Sequence, residues 1–546
     1  MNTRLALALF VALTAVGCGS TRAIKGDGRF SGLGTHTRPV TTKVPAAQAL
    51  FDQGLAFLYA FNHDEAIRAF GKAAVADPRC AMAWWGIALA NGPHINNPAM
   101  DAAHSKAAWA ALVRAREHAA SSSPVERDLI AALGKRYADP APADRAPLDH
   151  AYAEAMRTVR TAHSDDADVG ALFAEALMDL RPWDLWGPDG APQPGTPEIV
   201  DTLERVLATA PEHPLALHLY IHAVEASPDP GRADAAADRL RSLAPGLGHL
   251  VHMPSHIDVR RGRWSEAVIA NRRAIEVDDE YRRLAPDQGF YHVYMAHNRH
   301  MLAYASMMRG QASQATVAIT EMLAKIPDDF ALAAAPVIDG FYAMPFELHL
   351  RFGRWDAMLA ESEPRETFPL SRALWRCARG IAWAAKRDVT RAREEQAEFA
   401  TARARVPNDS TFGNNPSARL LDVAAALLDG EISYREGKVD LALAALAAAV
   451  AAEDALRYDE PPDWILPTRH VLGAALLDAG RPAEAEVVYR QDLERLPENG
   501  WSLLGLARSL EAQGKKADDV RRRFDAVWKD SDVVASSSCM CLPDRR

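Results

Sequence analysis

Along most of the chain, apolar and small residues recur with helical spacing, and the strict alternation that marks a half-buried strand is scarce. Around the first clear block the pattern runs Gly54, Phe57, Ala66, Phe70, Ala73, Pro78. It predicts a helix carrying a small residue and an aromatic, a second helix carrying Ala and an aromatic, and Pro at the exit. Taking Leu50 as the fourth residue starts this block at Ala47; one period later Trp84 and Ile87 fill equivalent places. The same register predicts helical hairpins from Pro214 (exit Pro245), Gly248 (turn Gly262, then Ala267), Ala296 (Gly310, Ala315, Pro327) and Asp339 (Gly353). Others start at Val423 (Gly437, Ala442), Leu466 (Gly480, Ala485, Pro497) and Gly500 (Gly514). A hairpin near Val169 opens with Leu-Phe-Ala-Glu-Ala-Leu, and its second helix, Ile199–Ala210, follows an insertion and exits at Pro211.

A helix-turn-helix unit of about 34 residues with this small–aromatic–Ala–aromatic–Pro pattern resembles the tetratricopeptide repeat (TPR). The resemblance covers most of the chain from Ala47 to Lys529, less well across residues 101–165 and 360–420. It implies an all-α fold, a TPR-type α-solenoid in which helix-turn-helix repeats wind into a right-handed superhelix. A single core would struggle at 546 residues, but a solenoid grows by nearest-neighbour contacts, so this length does not demand several domains. The expected organisation is a lipoprotein signal peptide at 1–17, a flexible tether at 18–46, a solenoid at 47–529 with His-rich central repeats at 169–330, and a disordered tail at 530–546.

The histidines keep step with the repeat. Nine of the 18 lie between His213 and His300. They form H-x3-H in His218 and His222, H-x2-H-x3-H in His249, His252 and His256, and H-x2-H in His297 and His300. Spacings of three and four place side chains on one helix face. The TPR resemblance implies that the second, fifth, ninth and twelfth residues of each unit line a concave groove. In register, those places hold His218, His222 and Glu225, then His249, His252 and His256, then His297, His300 and Tyr304. Glu175 falls opposite His222, and the unit from Asp339 offers Glu347. His213 and His292 fall outside this face and read as structural, and the remaining histidines, among them His63 and His94, are scattered.

Imidazoles with a carboxylate suit Zn, Fe, Cu or Ni, whereas Ca and Mg want oxygen. The pattern therefore points to a transition metal ion (Zn, Fe or Cu) in one groove site or two adjacent ones, held by His218, His222, His252, His256, His297 and His300, with His249 less central. Asn271, Asn298 and Tyr304 are candidates to orient the ligands, as is Glu225. The competing reading is a solvated or hydrogen-bonded histidine ladder without metal.

Two loops bear on the same groove. Arg181-Pro-Trp-Asp-Leu-Trp186 runs on through Gly190 and offers Trp183, Asp184 and Trp186 as a wall or lid; Tyr458–Trp464 offers Glu460 and Trp464. The alternative is that these Trp plug gaps between units. Pro254 costs little in a first helical turn, so it marks a helix start with His249 on the approach. Taken together, Pro-Trp-Asp-Leu-Trp, His-Leu-Tyr-Ile-His-Ala-Val-Glu, His-Met-Pro-Ser-His-Ile and His-Asn-Arg-His resemble a group of bacterial TPR lipoproteins, a likeness that brings no activity with it.

The N-terminus reads Met-Asn-Thr-Arg, then an apolar run from Leu5 to Val16, then Gly17-Cys18. That describes an export signal, too short to span a bilayer. Ala15-Val16-Gly17-Cys18 resembles a bacterial lipobox with Cys18 as the lipidated residue, implying anchoring at the periplasmic face of the envelope, most simply on the outer membrane. Net charge is −10 and the one basic run is Arg521–Arg523, which argues against nucleic-acid binding. Cys80 and Cys377 read as inert core thiols, and Cys539 and Cys541 lie in the Ser-rich tail without an assigned role. Phosphate loops, zincin motifs and nucleophile elbows are missing from the sequence.

The functional expectation is an exported binding protein whose His-lined groove holds a metal and takes a peptide, protein or small-molecule ligand. One alternative is a metal-dependent hydrolase or oxidoreductase with Glu175 or Glu225 as acid or base. A second is a periplasmic interaction scaffold without metal. Oligomeric state is left open.

Overall fold

The computed structural model describes residues 30–285 and 287–540. The expected signal peptide, Cys18 and Cys541 lie outside the described residues. Helices follow one another almost throughout, and the sheet content among the described residues is one short hairpin, Thr411–Phe412 antiparallel to Asn415–Pro416. The described chain divides into two units. The first comprises residues 30–257 and 272–295, and the second residues 258–271 and 296–540.

In both units sequential helices pack as antiparallel hairpins. The first unit pairs Pro45–Tyr59 with His63–Ala76, then Ala81–Ala90 with Ala102–His118, and Ala167–Met178 with Thr196–Thr209. The second pairs Pro369–Ala385 with Val389–Arg403, Ser417–Arg435 with Val439–Asp454, and Thr468–Asp478 with Pro482–Arg495. The regions where the repeat pattern fades, 101–165 and 360–420, are still mostly helical, the second also carrying that strand hairpin. Near Asp339 the first helix is shortened to a 3-10 turn, Asp339–Ala343, and the brief helix Met344–Arg351.

Close approach explains the small residues. Phe70 lies between Gly54 and Gly86, where an added Cβ would sit 2.5 and 2.7 Å from its ring. Tyr489 lies in the same way between Gly473 and Gly505, at 2.4 and 2.2 Å. In both trios the aromatic of one hairpin's second helix touches a glycine on its own first helix and one on the next hairpin, and the sequence offsets are the same. Each such aromatic contributes about 3 kcal/mol of burial where the glycines let it in. The six turn glycines of the register, Gly262, Gly310, Gly353, Gly437, Gly480 and Gly514, all have φ between +64° and +77°. That left-handed conformation closes a helix C-terminus at low cost only for glycine.

Two expectations at the ends are corrected. Residues 30–44 pack on the first unit instead of hanging as a tether. Phe30 meets Phe57 edge-on at 5.0 Å, Gly246 N donates to Gly32 O at 2.8 Å, and Arg38 spans Asp166 and Asp168 at 2.9 Å each. The polar composition concealed these ionic and backbone anchors. Residues 530–540 pack on the second unit instead of forming a disordered tail. Asp532 accepts from Ala312 N and Ser313 N at 2.6 and 2.8 Å, at the start of helix Ala312–Lys325. Ser538 is buried, donating to His470 O at 2.7 Å and accepting from Arg351 at 2.6 Å through its carbonyl. Cys539 is buried and disulfide-bonded, while Cys80 and Cys377 are buried free thiols. No helix among the described residues is long and apolar enough to cross a membrane.

Candidate metal centre

His218 and His222 stand one turn apart on Pro214–Val224, a helix buried on every side. Pro214 occupies its first turn, where no amide is needed, and His213 caps it by accepting from Ala216 N at 3.2 Å. The helix packs against Pro45–Tyr59, Ala167–Met178 and Thr196–Thr209. His249 and His252 lie on the short helix Gly248–His252. The chain breaks at Met253 and restarts as Pro254–Arg260, which carries His256. Pro254 lacks the amide that would continue the first helix, so the break follows from sequence. These five imidazoles line no open groove: His218, His222, His249, His252 and His256 are between 0% and 6% exposed.

Hydrogen bonds fix which nitrogens face inward. The Tyr59 carbonyl accepts from His218 Nδ1 at 2.7 Å. A carbonyl cannot donate, so in the neutral ring the lone pair is on Nε2. Glu225 does the same twice, accepting from His222 Nδ1 on Oε1 at 2.7 Å and from His256 Nδ1 on Oε2 at 2.5 Å. His222 Nε2, sealed from solvent, has no hydrogen-bond partner. His218 Nε2 lies 3.1 Å from His249 Nε2, and His252 Nε2 lies 2.7 Å from His256 Nε2. Ring nitrogens of His218, His222 and His249 fall within 4.8 Å of one another. A buried imidazole nitrogen with no partner is costly. Lone pairs converging from rings anchored at their far nitrogens are the arrangement metal-binding histidines adopt.

The protonation states agree. Burial pushes His218 well below its ordinary value, with His222 adding to the effect, and burial also lowers His222 against the pull of Glu225. Burial disfavours the Glu225 carboxylate, but the His256 and His222 rings outweigh it and hold the group at about 2. A lowered His222 ring thus stands beside an ionised Glu225 carboxylate.

Two residues in left-handed backbone cover the cluster. Phe61, φ +55°, sits at the turn position that is glycine in six other hairpins. Its ring centroid is 4.3 Å from that of His218, 4.6 Å from His94, 5.7 Å from His249 and 6.2 Å from His222. Trp183, φ +58°, meets His222 edge-on at 5.3 Å and is steadied by Nε1 donating to Asn96 at 3.1 Å. Backbone strain in bulky residues persists where the surroundings enforce it, and it clusters at functional sites. Tyr294 closes a third side, 4.6 Å from His249.

The other sequence candidates divide. Trp186 donates to Ala223 O at 2.8 Å, fastening the Trp183 loop to the helix of His222, and Asp184 pairs with Arg181 at 2.6 Å. Glu175 is half-buried; burial and the Asp179 charge raise it to about 8, and Asp179 itself is held by Arg136 at 2.6 Å. Glu225 has both oxygens committed to imidazoles, which argues against acid–base duty. His297 and His300 lie on His292–Met308, within the second unit, with His300 against Phe341 at 5.5 Å. Asn298 and Tyr304 on that helix are buried, Tyr304 edge-on to Trp264 at 5.7 Å, and Asn271 donates to Ala267 O at 2.8 Å. Glu347 is raised to about 8 by burial. Glu460 accepts from Tyr458 at 2.8 Å, and Trp464 is buried with Nε1 on Leu466 O, a packing role. A second trio, His36, Asp168 and His213, is a carboxylate already saturated by Tyr59, Arg38 and both histidines.

Sequence reasoning missed Tyr59, Phe61, His63 and His94. His63 and His94 meet at a tilt with centroids 4.2 Å apart beside Phe61, and burial lowers both, His63 to about 3. The signal available was a phenylalanine where the register wants glycine.

No protein-family model and no curated protein matches the chain. Among solved structures, it is similar to the APC/C hetero-tetramer Cut9–Hcn1, at 11% identity over 91% of this chain and 76% of that one, with TM-score 0.30. It is also similar to the human IFIT1 dimer with m7Gppp-AAAA (10% identity, 90% and 91% covered, TM-score 0.30) and to the P58(IPK) TPR domain (14%, 82% and 99%, TM-score 0.21). Such distant overlays say nothing of ligand or activity. The hairpins, their glycine turns and the repeated glycine–aromatic–glycine contacts speak for the architecture: each unit is an all-α array of helical hairpins whose packing resembles that of tetratricopeptide repeats.

Proposed function

We propose that this protein is an exported, lipid-anchored metal-binding solenoid whose central histidine centre holds a transition metal ion and through it a ligand. The observation that carries this reading is the convergence of His218, His222 and His249, with His218 and His222 anchored at Nδ1 and His222 Nε2 left without a partner. Nitrogen donors favour Zn, Cu, Fe or Ni over Ca or Mg. The 3.1 Å separation of His218 and His249 is close to that of two nitrogens each about 2.0–2.1 Å from a shared zinc ion. Three protein nitrogens leave a coordination position for an exchangeable ligand. The covering Phe61 and Trp183 rings make the surroundings apolar, which strengthens a metal–ligand interaction inside.

A metal-dependent enzyme is the second reading, favoured by Glu175. Burial and the Asp179 charge raise this carboxyl, which favours the protonated, proton-donating form. The deciding experiment is elemental analysis of the protein grown in metal-replete medium and dialysed without chelator. One or two equivalents of a transition metal, lost in the His222→Ala/His256→Ala double variant with helix content retained, support the proposal. Metal-free protein that also refuses reconstitution with Zn, Cu, Fe, Ni or Co overturns it and leaves a hydrogen-bonded histidine ladder.

A further inference from the structure

Resting on the metal reading above, we infer that the centre is dinuclear. One ion belongs to His218, His222 and His249, and a second to His252 and His256, with the Glu225 carboxylate joining the two ligand sets. The first unit holds two close Nε2–Nε2 pairs, not one: His218 with His249 at 3.1 Å and His252 with His256 at 2.7 Å. Each pair contains a ring whose Nδ1 is spent on an acceptor that cannot donate, Tyr59 O for His218 and Glu225 for His256. In each pair, therefore, that ring in its neutral form turns an Nε2 lone pair toward another imidazole nitrogen at contact distance. A cation between them satisfies both nitrogens.

The two pairs are not one site. His222, within the first trio, and His256, within the second pair, take opposite oxygens of Glu225, so that carboxylate lies behind both sets and not between metal and nitrogen. Its single negative charge serves both sets at once. It raises the basicity of one ring from each, as carboxylates behind metal-bound histidines do. His252 and His256 also bring the four-residue spacing by which two histidines grip one ion from a single helical face. Here the spacing survives the break at Met253, because the chain re-enters helix at Pro254 with both rings still face to edge, 4.7 Å between centroids. The His222 and His256 rings are 5.4 Å apart, so ions on the two sets would be neighbours. Neighbouring metals suit ligands that bridge, such as dioxygen, hydroxide or a phosphoryl group.

The test is cobalt titration of the metal-free full-length protein, followed by visible absorption and by elemental analysis after desalting. Two equivalents are expected in the parent chain. One should remain in His252→Gln and one in His218→Gln, each with a different residual spectrum, and Glu225→Gln should weaken both steps. Circular dichroism of each variant confirms that it is folded. A parent stoichiometry of one, abolished equally by His218→Gln and His252→Gln, overturns the dinuclear inference and leaves the single-metal reading standing. No uptake by the parent overturns both.

Discussion

Glu225 Oε2 accepts the Nδ1 proton of His256 at 2.5 Å, and the other oxygen of the same carboxylate holds His222. One buried charge thus sets the tautomer and the aim of two rings from different helices. Glu225→Gln keeps the shape but removes the charge and can accept through one oxygen only. Metal affinity is expected to fall about 10–100-fold, the usual cost of losing a carboxylate behind a metal-bound histidine, with helix content unchanged. Competition against a chelator of known affinity measures this. An affinity within twofold of the parent would show that Glu225 only packs.

Acid should destabilise the metal-free protein below neutrality. Burial lowers His300 to about 3 and His94 well below its ordinary value. Their folded-state values lie beneath the unfolded value of about 6.5. Above that pH neither state binds the proton and stability is unaffected. As pH falls below it, the unfolded chain takes up protons that the folded one refuses. Each group then removes about 1.4 kcal/mol per pH unit. The effect continues for His300 to about pH 3. Urea unfolding between pH 7.5 and 4.5 should show stability falling continuously; a flat profile across pH 6 would mean that these rings protonate without unfolding.

The repeat was legible because it is written in glycine and aromatic spacing, and Gly262 through Gly514 fall where the register puts turns. The histidine pattern was legible too, since the spacings three and four that bring His218 to His222 are local. What was not legible depends on distance in sequence. Tyr59 reaches His218 across 159 residues with a backbone carbonyl, a group that no motif records. His94 carries no local pattern and reaches the cluster through Phe61. Residues 30–44 read as a tether because their anchors, Arg38 to Asp166 and Asp168, are ionic and remote. Burial of the histidines was missed for a different reason: TPR register implies an open groove, and aromatics from turn and insertion cover these rings.

Removing the chain after Lys529 should unsettle the second unit. Ser538 bonds to His470 O, to Tyr489 and, through its carbonyl, to the buried Arg351, which stacks on Trp501 at 4.0 Å. Without the tail, Arg351 loses an acceptor; its guanidinium is already lowered to about 9 by burial. A buried donor left without its partner costs about 1–3 kcal/mol, more for a charged one. A loss of at least that size is expected in denaturant unfolding of the truncated chain. Unchanged stability would show the tail to be merely laid on the surface.

Lipid anchoring makes a prediction of its own. Cys18→Ser should move the protein from the membrane fraction to the soluble fraction. Continued membrane association of the variant would assign anchoring to something other than a lipid on Cys18.

Phe61 offers the sharpest test of cover against strain. It is 2% exposed, so removing its ring costs about 3–5 kcal/mol, yet its φ of +55° costs an L-residue about 1–2 kcal/mol that glycine does not pay. Phe61→Ala loses the ring and keeps the strain, whereas Phe61→Gly loses the ring and sheds it. Glycine should therefore be the more stable replacement by about 1 kcal/mol, the reverse of the order in a helix. Both variants uncover His218, His249 and His94, so a chelator should strip metal from each at least tenfold faster than from the parent. If the glycine variant is the less stable, the turn is not strained at Phe61. If metal leaves both variants at the parent rate, the ring does not guard the centre, and its place in a glycine position has some other cause.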